Sequence, residues 1–209
     1  MLNEVGIVHY VLGFVLGHLC GSVPSGLWLV QALHGIDIRN YGSKNIGTTN
    51  VFRTVGPTTA VLVLICDMLK GIIAVALVNH FFHSPELDVV TALGALVGHN
   101  YSAFLGFKGG KGILSGFTIA LMVDWRIGLL IFLTFAVAYG LTQYVSLGSV
   151  LAAAMFGVGF ILFYRQQPVV MWTALLLAAL VIFMHRGNIQ RLLRGEERKT
   201  NLFGKGRKQ

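Results

Sequence analysis

Residues 57–82 read "PTTAVLVLICDMLKGIIAVALVNHFF", and this run determines how the rest of the chain must fold. Its only charged residues are Asp67 and Lys70. Crossing the hydrocarbon core of a bilayer takes about 20 mostly apolar residues as a helix, so the run predicts a membrane-spanning helix. Ionisable side chains inside a membrane are costly unless they are paired, and a spacing of three residues permits an ion pair within one helix. We therefore expect Asp67 and Lys70 to pair and to brace the structure rather than to carry chemistry.

Similar apolar runs fill most of the chain. Of the 209 residues, 55% are hydrophobic and 11% are charged, and the mean hydropathy is +0.73. This balance is far outside that of soluble domains. The sequence predicts an all-α, polytopic membrane helix bundle that forms a single domain over 1–209. Seven apolar segments are candidate transmembrane helices, namely 5–34, 57–82, 88–106, 112–123, 127–143, 147–163 and 169–185.

Two of these segments are irregular. The first contains "GSVPSG" at 21–26, where we expect a kink, because proline removes a backbone donor and membrane helices tolerate such breaks beside polar neighbours. The fourth, 112–123, is short for a span. In an alternative with five spans, the fourth and fifth segments are re-entrant pieces and both chain ends keep their sides.

The cations are divided unevenly between the two sides of this bundle. With the N-terminus outside, 13 of the 16 Lys and Arg residues fall in the cytoplasmic loops and in a basic C-terminal tail, 186–209. The positive-inside rule therefore predicts an N-terminus outside and a C-terminus in the cytoplasm. From Arg191 onward, we expect the tail to be solvated and to face lipid headgroups.

Several other functions are excluded by the residues present. Cys20 and Cys66 lie in apolar sequence without the spacing of a metal site or a disulfide framework, so we expect both to be reduced packing residues. The basic residues are not gathered in a soluble domain, which argues against nucleic-acid binding. His83 and Asp88 form an H-x-x-x-x-D pattern known from thioester-dependent glycerolipid acyltransferases, but they lie in an acidic outer turn without cations. We interpret this pattern as coincidence.

The first of three polar clusters is "RNYGSKNIGTTNVFR" at 39–53. Glycines let the backbone turn its N–H groups inward, hydroxyl and amide side chains add donors, and a following helix N-terminus attracts anions. The pattern predicts a phosphate-binding loop, although a solvated cytoplasmic loop would have a similar composition. The candidate phosphate-binding residues are Ser43, Asn45, Gly47, Thr48, Asn50 and Arg53.

The second cluster, "FKGGKG" at 107–112, places Lys108 and Lys111 on a glycine-rich turn. It is not a nucleotide-binding P-loop, because Leu105 stands where the first glycine is required and Gly112 where serine or threonine is required. Such a turn can still bind phosphate through backbone amides and lysine charges. The alternative is an ordinary positive-inside turn without a ligand.

The third cluster, "HRGNIQRLLRGEERK" at 185–199, follows an apolar helix directly. His185 and Asn188 are three residues apart, so they share a face if the helix continues. The predicted orientation places all three clusters on the cytoplasmic side, where we expect them to meet. Taken alone, a histidine at a membrane boundary is more often a packing residue than a catalyst.

In this order, "GSVPSG", "YGSKNIGTTNVFR", "DMLKG", "GHNYSAFLGFKGGKG" and "HRGNIQRLLRGEE" resemble the bacterial acyl-phosphate:glycerol-3-phosphate acyltransferase family of the inner membrane. The resemblance covers most of the chain, from Gly21 to Lys199. It implies a membrane enzyme that transfers a fatty acyl group from acyl phosphate to the sn-1 hydroxyl of glycerol 3-phosphate. The products are lysophosphatidic acid and phosphate, and neither a metal nor another cofactor is implied. The chain departs from the family at Ile46 and near Thr48, where proline and alanine are common.

The resemblance also implies roles for individual residues. By motif position, the family's phosphate-binding residues fall on Ser43, Arg53 and Lys111, and its motif histidine and asparagine fall on His185 and Asn188. We expect the latter two to be catalytic.

A serine of the turn "QYVSLGS" at 143–149 also belongs to the family's site. Ser146 and Ser149 both remain open, with Ser149 fitting the downstream spacing better. Because acyl phosphate is already activated, the enzyme mainly has to align the hydroxyl with the carbonyl and to stabilise the tetrahedral oxyanion. We expect Asn188 to donate to the oxyanion or to the hydroxyl, and either His185 or the donor's own phosphate to accept the proton.

The predicted partners are glycerol 3-phosphate, acyl phosphate that enters from the bilayer, and membrane lipids, with no obligate protein partner. A second class of function is a membrane carrier for an organic phosphate, which would use the same cations without chemistry. Carriers commonly have inverted repeats and polar residues at the membrane midplane. The sequence has no visible repeat, and its polar residues cluster on one face, so an enzyme is favoured.

Overall fold

The computed structural model describes residues 5–201 and contains only helical and irregular structure over that range. Its α-helices are α1 (Ile7–Ser22), α2 (Ser25–His34), α3 (Thr48–Val55), α4 (Pro57–Phe82), α5 (Pro85–Asn100), α6 (Ile113–Val123), α7 (Trp125–Thr142), α8 (Val145–Tyr164), α9 (Pro168–Met184) and α10 (Arg186–Leu193). Two short 3-10 turns, Ile38–Asn40 and Ala103–Leu105, lie in the loops after α2 and α5.

Every predicted apolar segment is helical, but not every helix is long enough to cross a bilayer. Within 5–201, four stretches are long and apolar enough, namely Ile7–His34 (α1 with α2), α4, α7 and α8. A fifth results if α9 and α10, which are bent by 55° relative to each other, are counted as one span. The helix α6 has only 11 residues. The all-helical membrane bundle is therefore confirmed, whereas seven spans and the orientation remain predictions.

The first span is interrupted where a kink was predicted. The break between α1 and α2 falls at Val23 and Pro24, because proline cannot donate the hydrogen bond that would continue the helix. The carbonyl of Val23 instead accepts a hydrogen bond from Lys70 Nζ at 3.1 Å. Lys70 Nζ also lies 2.8 Å from Asp67 Oδ1, which confirms the predicted ion pair. The charge inside α4 thus stabilises the break in the neighbouring helix.

The same buried carboxylate connects α4 to the loop after α5. Asp67 Oδ1 accepts a hydrogen bond from Ser25 Oγ at 2.8 Å and lies 3.7 Å from His99 Nδ1. The carbonyl of His99 in turn accepts a hydrogen bond from the Gly110 N–H at 2.9 Å. Through this network the Asp67–Lys70 pair braces the structure, as the sequence predicted.

Two buried apolar clusters hold the remaining elements. The larger contains residues from each of the six helices α4 through α9, among them Leu96, Ile127, Phe160 and Leu177. The smaller packs α2, the turn Ile38–Asn40 and α3 onto α4 through Val30, Ile38, Val51 and Val63. The second cluster fixes the polar loop between α2 and α3 against the rest of the bundle.

The helices α1 and α5 approach each other so closely that their backbones are in contact. A Cβ on Gly17 would overlap the carbonyl oxygen of Thr91, and one on Gly94 would overlap the carbonyl oxygen of Phe14. Inside a bilayer the hydrophobic effect does not drive helix association, so this close packing and the dispersion energy that it provides have to hold the pair. Glycine is therefore a packing requirement at these positions.

We predict that Gly17→Ala destabilises the bundle by about 1–3 kcal/mol, because the added methyl meets backbone that cannot move aside. The matched control is Gly71→Ala in α4, where an added Cβ meets nothing within 4 Å. Thermal unfolding of both variants in detergent measures the difference. Equal midpoints for the two variants would contradict the packing argument.

Candidate active site

The three polar clusters meet in the structure, as the sequence predicted. Asn45 Nδ2 donates to the carbonyl of Gly109 at 3.3 Å, which joins the first cluster to the second. Lys111 Nζ donates to Asn188 Oδ1 at 2.6 Å, which joins the second to the third. Arg53 Nη2 donates to the carbonyl of Arg198 at 3.0 Å, which joins the first to the C-terminal segment. The meeting point lies at one end of the helix bundle.

Asn50 organises the loop between α2 and α3 from within. Its side chain is 2% exposed, and its Oδ1 accepts a hydrogen bond from the Ser43 N–H at 2.8 Å. Its Nδ2 donates to the carbonyls of Tyr41 and Asn45 at 3.1 and 2.8 Å. Asn45 Oδ1 accepts from the Gly47 N–H at 2.8 Å. The structure thus uses the side chains of Asn45 and Asn50 and the N–H of Gly47 to shape the loop.

Other donors of this loop remain available to a ligand. The hydroxyl of Thr48 is buried and has no hydrogen-bond partner in the described structure. Thr48 also begins α3, whose N-cap residue Gly47 provides no side-chain cap. The N–H groups of Thr48 and Thr49 are therefore open, whereas that of Asn50 donates to the carbonyl of Gly47. Ser43 is exposed beside them. A helix N-terminus with an unpaired hydroxyl is suited to an anionic oxygen.

Of the two lysines in the loop between α5 and α6, Lys111 is the more buried. Gly112 has a φ of +79°, which ends the loop in a conformation that favours glycine, and a Cβ on Gly110 would overlap the ring of His99. The loop can therefore lie directly on His99 and present Lys111 towards Asn188. Burial lowers the pKa of Lys111 to about 8. Lys108 is exposed and makes no hydrogen bond in the described structure.

Glu197 is the centre of the third cluster, and sequence reasoning missed it. Its side chain is 4% exposed and accepts hydrogen bonds from Asn188 Nδ2 at 2.8 Å, from Ser146 Oγ at 3.0 Å and from Arg191 Nε at 2.7 Å. Burial opposes ionisation, but these donors outweigh it and lower the pKa of the carboxyl. The sequence carries no distinguishing signal for it, because two adjacent glutamates, Glu196 and Glu197, lie in this basic tail and only Glu197 is buried.

The expectation of a solvated tail from Arg191 onward was therefore wrong for Glu197 and Thr200, whereas Arg194, Arg198 and Lys199 are exposed as expected. Glu197 and Thr200 are buried, and Arg191 is held in an ion pair. The tail folds back because its carboxylate and hydroxyl are the partners that the neighbouring cations require. Residues 202–209, with Lys205, Arg207 and Lys208, lie outside the described structure.

His185 stands at the bend between α9 and α10, so the helix does not continue straight through it. The residue is 3% exposed, and its Nδ1 lies 2.8 Å from the carbonyl oxygen of Val181. Because a carbonyl only accepts, Nδ1 must carry the hydrogen, and Nε2 of the neutral ring is left with a free lone pair. Asn188 lies on the first turn of α10 after the bend and is also buried.

The two candidate serines of α8 have different partners. Ser146 Oγ donates to Glu197, whereas Ser149 Oγ donates to the carbonyl of Val145 in its own helix at 2.9 Å. Both are buried, and residues three apart share a helix face. Ser146 is therefore part of the Glu197 cluster, and Ser149 lies one turn further along α8.

The charges of this region are suited to an anion. Arg53, Lys111 and Arg191 face a single carboxylate, Glu197. Burial lowers the pKa of Lys111, and partial desolvation lowers that of Arg53 although this residue is exposed. Cations that are partly removed from water bind a phosphate more strongly than solvated ones. Over residues 5–201 there is no group of three or more His, Cys, Asp or Glu side chains that could hold a metal ion.

Comparisons with known proteins agree on one family. The family model described as glycerol-3-phosphate acyltransferase matches residues 11–195. A glycerol-3-phosphate acyltransferase of Thermotoga petrophila is 40% identical over 189 residues, covering 90% of this chain and 95% of the relative. One of Anaeromyxobacter dehalogenans is 41% identical over 198 residues, covering 91% and 98%.

Solved structures match as well. The crystal structure of PlsY, an integral membrane glycerol 3-phosphate acyltransferase, in its glycerol 3-phosphate form is 34% identical and superposes with a TM-score of 0.85, covering 92% of this chain and 96% of that one. Its lysophosphatidic acid form gives a TM-score of 0.81, with 92% and 95% covered. The order of motifs read from the sequence, the meeting of those motifs in space and these matches lead to one conclusion: the chain belongs to the glycerol-3-phosphate acyltransferase family.

Proposed function

We propose that this acyltransferase moves a fatty acyl group from acyl phosphate to the sn-1 hydroxyl of glycerol 3-phosphate, and that it releases lysophosphatidic acid and phosphate. The observation that carries the proposal is the convergence of Arg53, Lys111 and Asn188 at one end of a membrane helix bundle. Both substrates carry phosphate, and the donor also carries a lipid chain. A cationic site next to apolar helix faces suits both parts.

In this proposal the phosphates are held by charges and by backbone donors. Lys111 and Arg53 supply the charge, and the first turn of α3 with the open hydroxyl of Thr48 supplies neutral donors. Ser43 is exposed on this loop, and Ser149 is buried in α8, one turn from Ser146. Lys108, which is exposed, attracts phosphate from solution rather than binding it closely.

The reaction is a direct acyl transfer. The sn-1 oxygen forms an ester bond to the acyl carbon, the bond from that carbon to the phosphate oxygen breaks, and the hydroxyl proton leaves with the phosphate. An acyl phosphate needs no further activation, so alignment and stabilisation of the oxyanion supply the rate enhancement. Asn188 is fixed on both sides, by Lys111 at its oxygen and by Glu197 at its nitrogen. The second N–H of its amide is left as a donor for the oxyanion or the hydroxyl.

We further propose that the site faces the cytoplasm of the inner membrane, with the N-terminus outside. The loops that form the site contain most of the cations, which the positive-inside rule assigns to the cytoplasm. Cysteines introduced at Lys44 and at Gln166, both exposed and at opposite ends of the bundle, test this orientation. Labelling of Lys44→Cys in intact cells by an impermeant reagent would overturn it.

The function is tested with purified protein in detergent, acyl phosphate, labelled glycerol 3-phosphate and a chelator, without coenzyme A. We expect labelled lysophosphatidic acid. Arg53→Ala and Lys111→Ala should each lower kcat/KM for glycerol 3-phosphate by about 10- to 100-fold, the value of a charge-assisted contact of about 1.5–3 kcal/mol. Arg194→Ala, an exposed cation on the same side, is the control.

A requirement for an acyl thioester or a divalent metal would contradict the proposed donor. Because detergent removes the two compartments, product formation also excludes a carrier that only moves an organic phosphate. Equal effects of all three substitutions would mean that general surface charge, and not a site, explains the basic loops.

A pH dependence follows from the burial of Lys111. A pKa of about 8 means that the free enzyme loses this charge as the pH rises through that value, whereas bound phosphate favours the charged form. We therefore predict that KM for glycerol 3-phosphate rises by about fivefold between pH 8 and pH 9, because the charged fraction of a group with this pKa falls from about one half to about one tenth. In Lys111→Arg the rise should vanish, since a guanidinium stays charged over this range. The same rise in Lys111→Arg would assign the titration to another group.

The two ring nitrogens of His185 have different roles in this proposal. We infer that the leaving phosphate accepts the proton, because it departs beside the incoming hydroxyl and is itself basic enough. Nε2, whose lone pair is free while Nδ1 donates to the carbonyl of Val181, then only orients the hydroxyl. A glutamine side chain places its amide near the position of Nε2, and an asparagine side chain places its amide near that of Nδ1. We predict that His185→Gln keeps activity within about tenfold, whereas His185→Ala loses about 10²-fold or more.

His185→Asn is the matched control, since it can replace only the bond to Val181. Single-turnover rates of the three variants separate the two mechanisms. If His185→Gln were as slow as His185→Ala, histidine itself would be the general base.

A further inference from the structure

Arg53 is held by a residue of the C-terminal segment that no motif contains. Its Nε donates to the hydroxyl of Thr200 at 2.9 Å, and its Nη2 donates to the same hydroxyl and to the carbonyl of Arg198. Thr200 is 3% exposed, although it lies 147 residues away from Arg53 along the chain. Arg53, the cation that we assign to phosphate binding, is thus fixed by a side chain from the C-terminal segment.

Thr200 is itself fixed by the last turn of α7 and the residue that follows it. Its carbonyl accepts a hydrogen bond from the Tyr139 hydroxyl at 2.8 Å, and its N–H donates to the carbonyl of Gln143 at 3.0 Å. Gln143 ends α7 with a φ of +62°, a left-handed conformation that turns the chain out of the helix. Backbone bonds on both sides therefore hold the hydroxyl in one place.

These bonds determine which face of the guanidinium remains free. Arginine has five N–H donors, and here Nε and both hydrogens of Nη2 are occupied by Thr200 and Arg198. The two hydrogens of Nη1 have no protein partner in the described structure. A phosphate oxygen can therefore approach only at Nη1, end-on.

We propose that Thr200 is a positioning residue for the phosphate site, which aims Nη1 of Arg53 at the substrate phosphate. The inference rests on the proposed role of Arg53 as a phosphate ligand. Without the Thr200 hydroxyl, the long arginine side chain regains rotamer freedom and has to be ordered anew when the substrate binds. The C-terminal segment accordingly completes the active site instead of extending into solvent.

The test compares Thr200→Val, which keeps the shape and removes the hydroxyl, with Thr200→Ser, which keeps the hydroxyl. We expect Thr200→Val to raise KM for glycerol 3-phosphate by about 3- to 30-fold, with kcat changed less than about twofold, and Thr200→Ser to restore KM. Thr58→Val is the control, because Thr58 is exposed at the start of α4. Thermal unfolding in detergent shows whether each variant is folded.

A double-mutant cycle with Arg53→Ala separates positioning from a structural role. If Thr200 acts through Arg53, Thr200→Val causes no further rise of KM in the Arg53→Ala background. Additive effects, or a Thr200→Val enzyme with an unchanged KM, would overturn the inference. If Arg53→Ala itself left KM unchanged, the proposed phosphate site would fail instead, so the two failures are distinguishable.

Discussion

The carboxylate of Glu197 is the interaction on which the site depends. Three donors from two helices converge on it, namely Ser146 of α8 and Asn188 and Arg191 of α10, and Asn188 extends the connection to Lys111. Without a central negative charge, Arg191 and Lys111 would repel each other in a region that is partly removed from water. Glu197 thus makes it possible to assemble cations for a ligand that is absent for part of every cycle.

The position of the site at one end of the bundle follows from the two substrates. A phosphate requires cations and N–H donors, which the bilayer interior does not tolerate without partners, and an acyl chain requires apolar surface. Loops that leave the helix ends satisfy both needs. Lys70 and His99 are polar residues that lie buried inside the bundle. Both lie next to Asp67 and therefore have a charged neighbour there.

The sequence predicted those features that depend on local composition. Apolar length located the helices, loop chemistry located the three polar clusters, and helical spacing paired Asp67 with Lys70. It did not predict contacts between residues far apart in the chain, such as those of Glu197 and Thr200, because neither has a local pattern that distinguishes it from a solvated tail. The bend at His185 was missed for a similar reason: neither a proline nor a glycine precedes it, and the bend depends on how α10 packs against the site.

Two networks hold the phosphate-binding residues from opposite sides. From within the bundle, Asp67 and His99 support Gly110, and from outside, Thr200 and Glu197 hold Arg53 and the Lys111–Asn188 pair. Such a site is organised before the substrate arrives, so binding costs little additional ordering. The burial of Lys111 is the unfavourable contribution to this arrangement, because loss of water disfavours the charged amine and lowers its pKa to about 8. A phosphate that binds beside this lysine favours its charged form, so the site stabilises a doubly charged phosphate group far more than neutral glycerol.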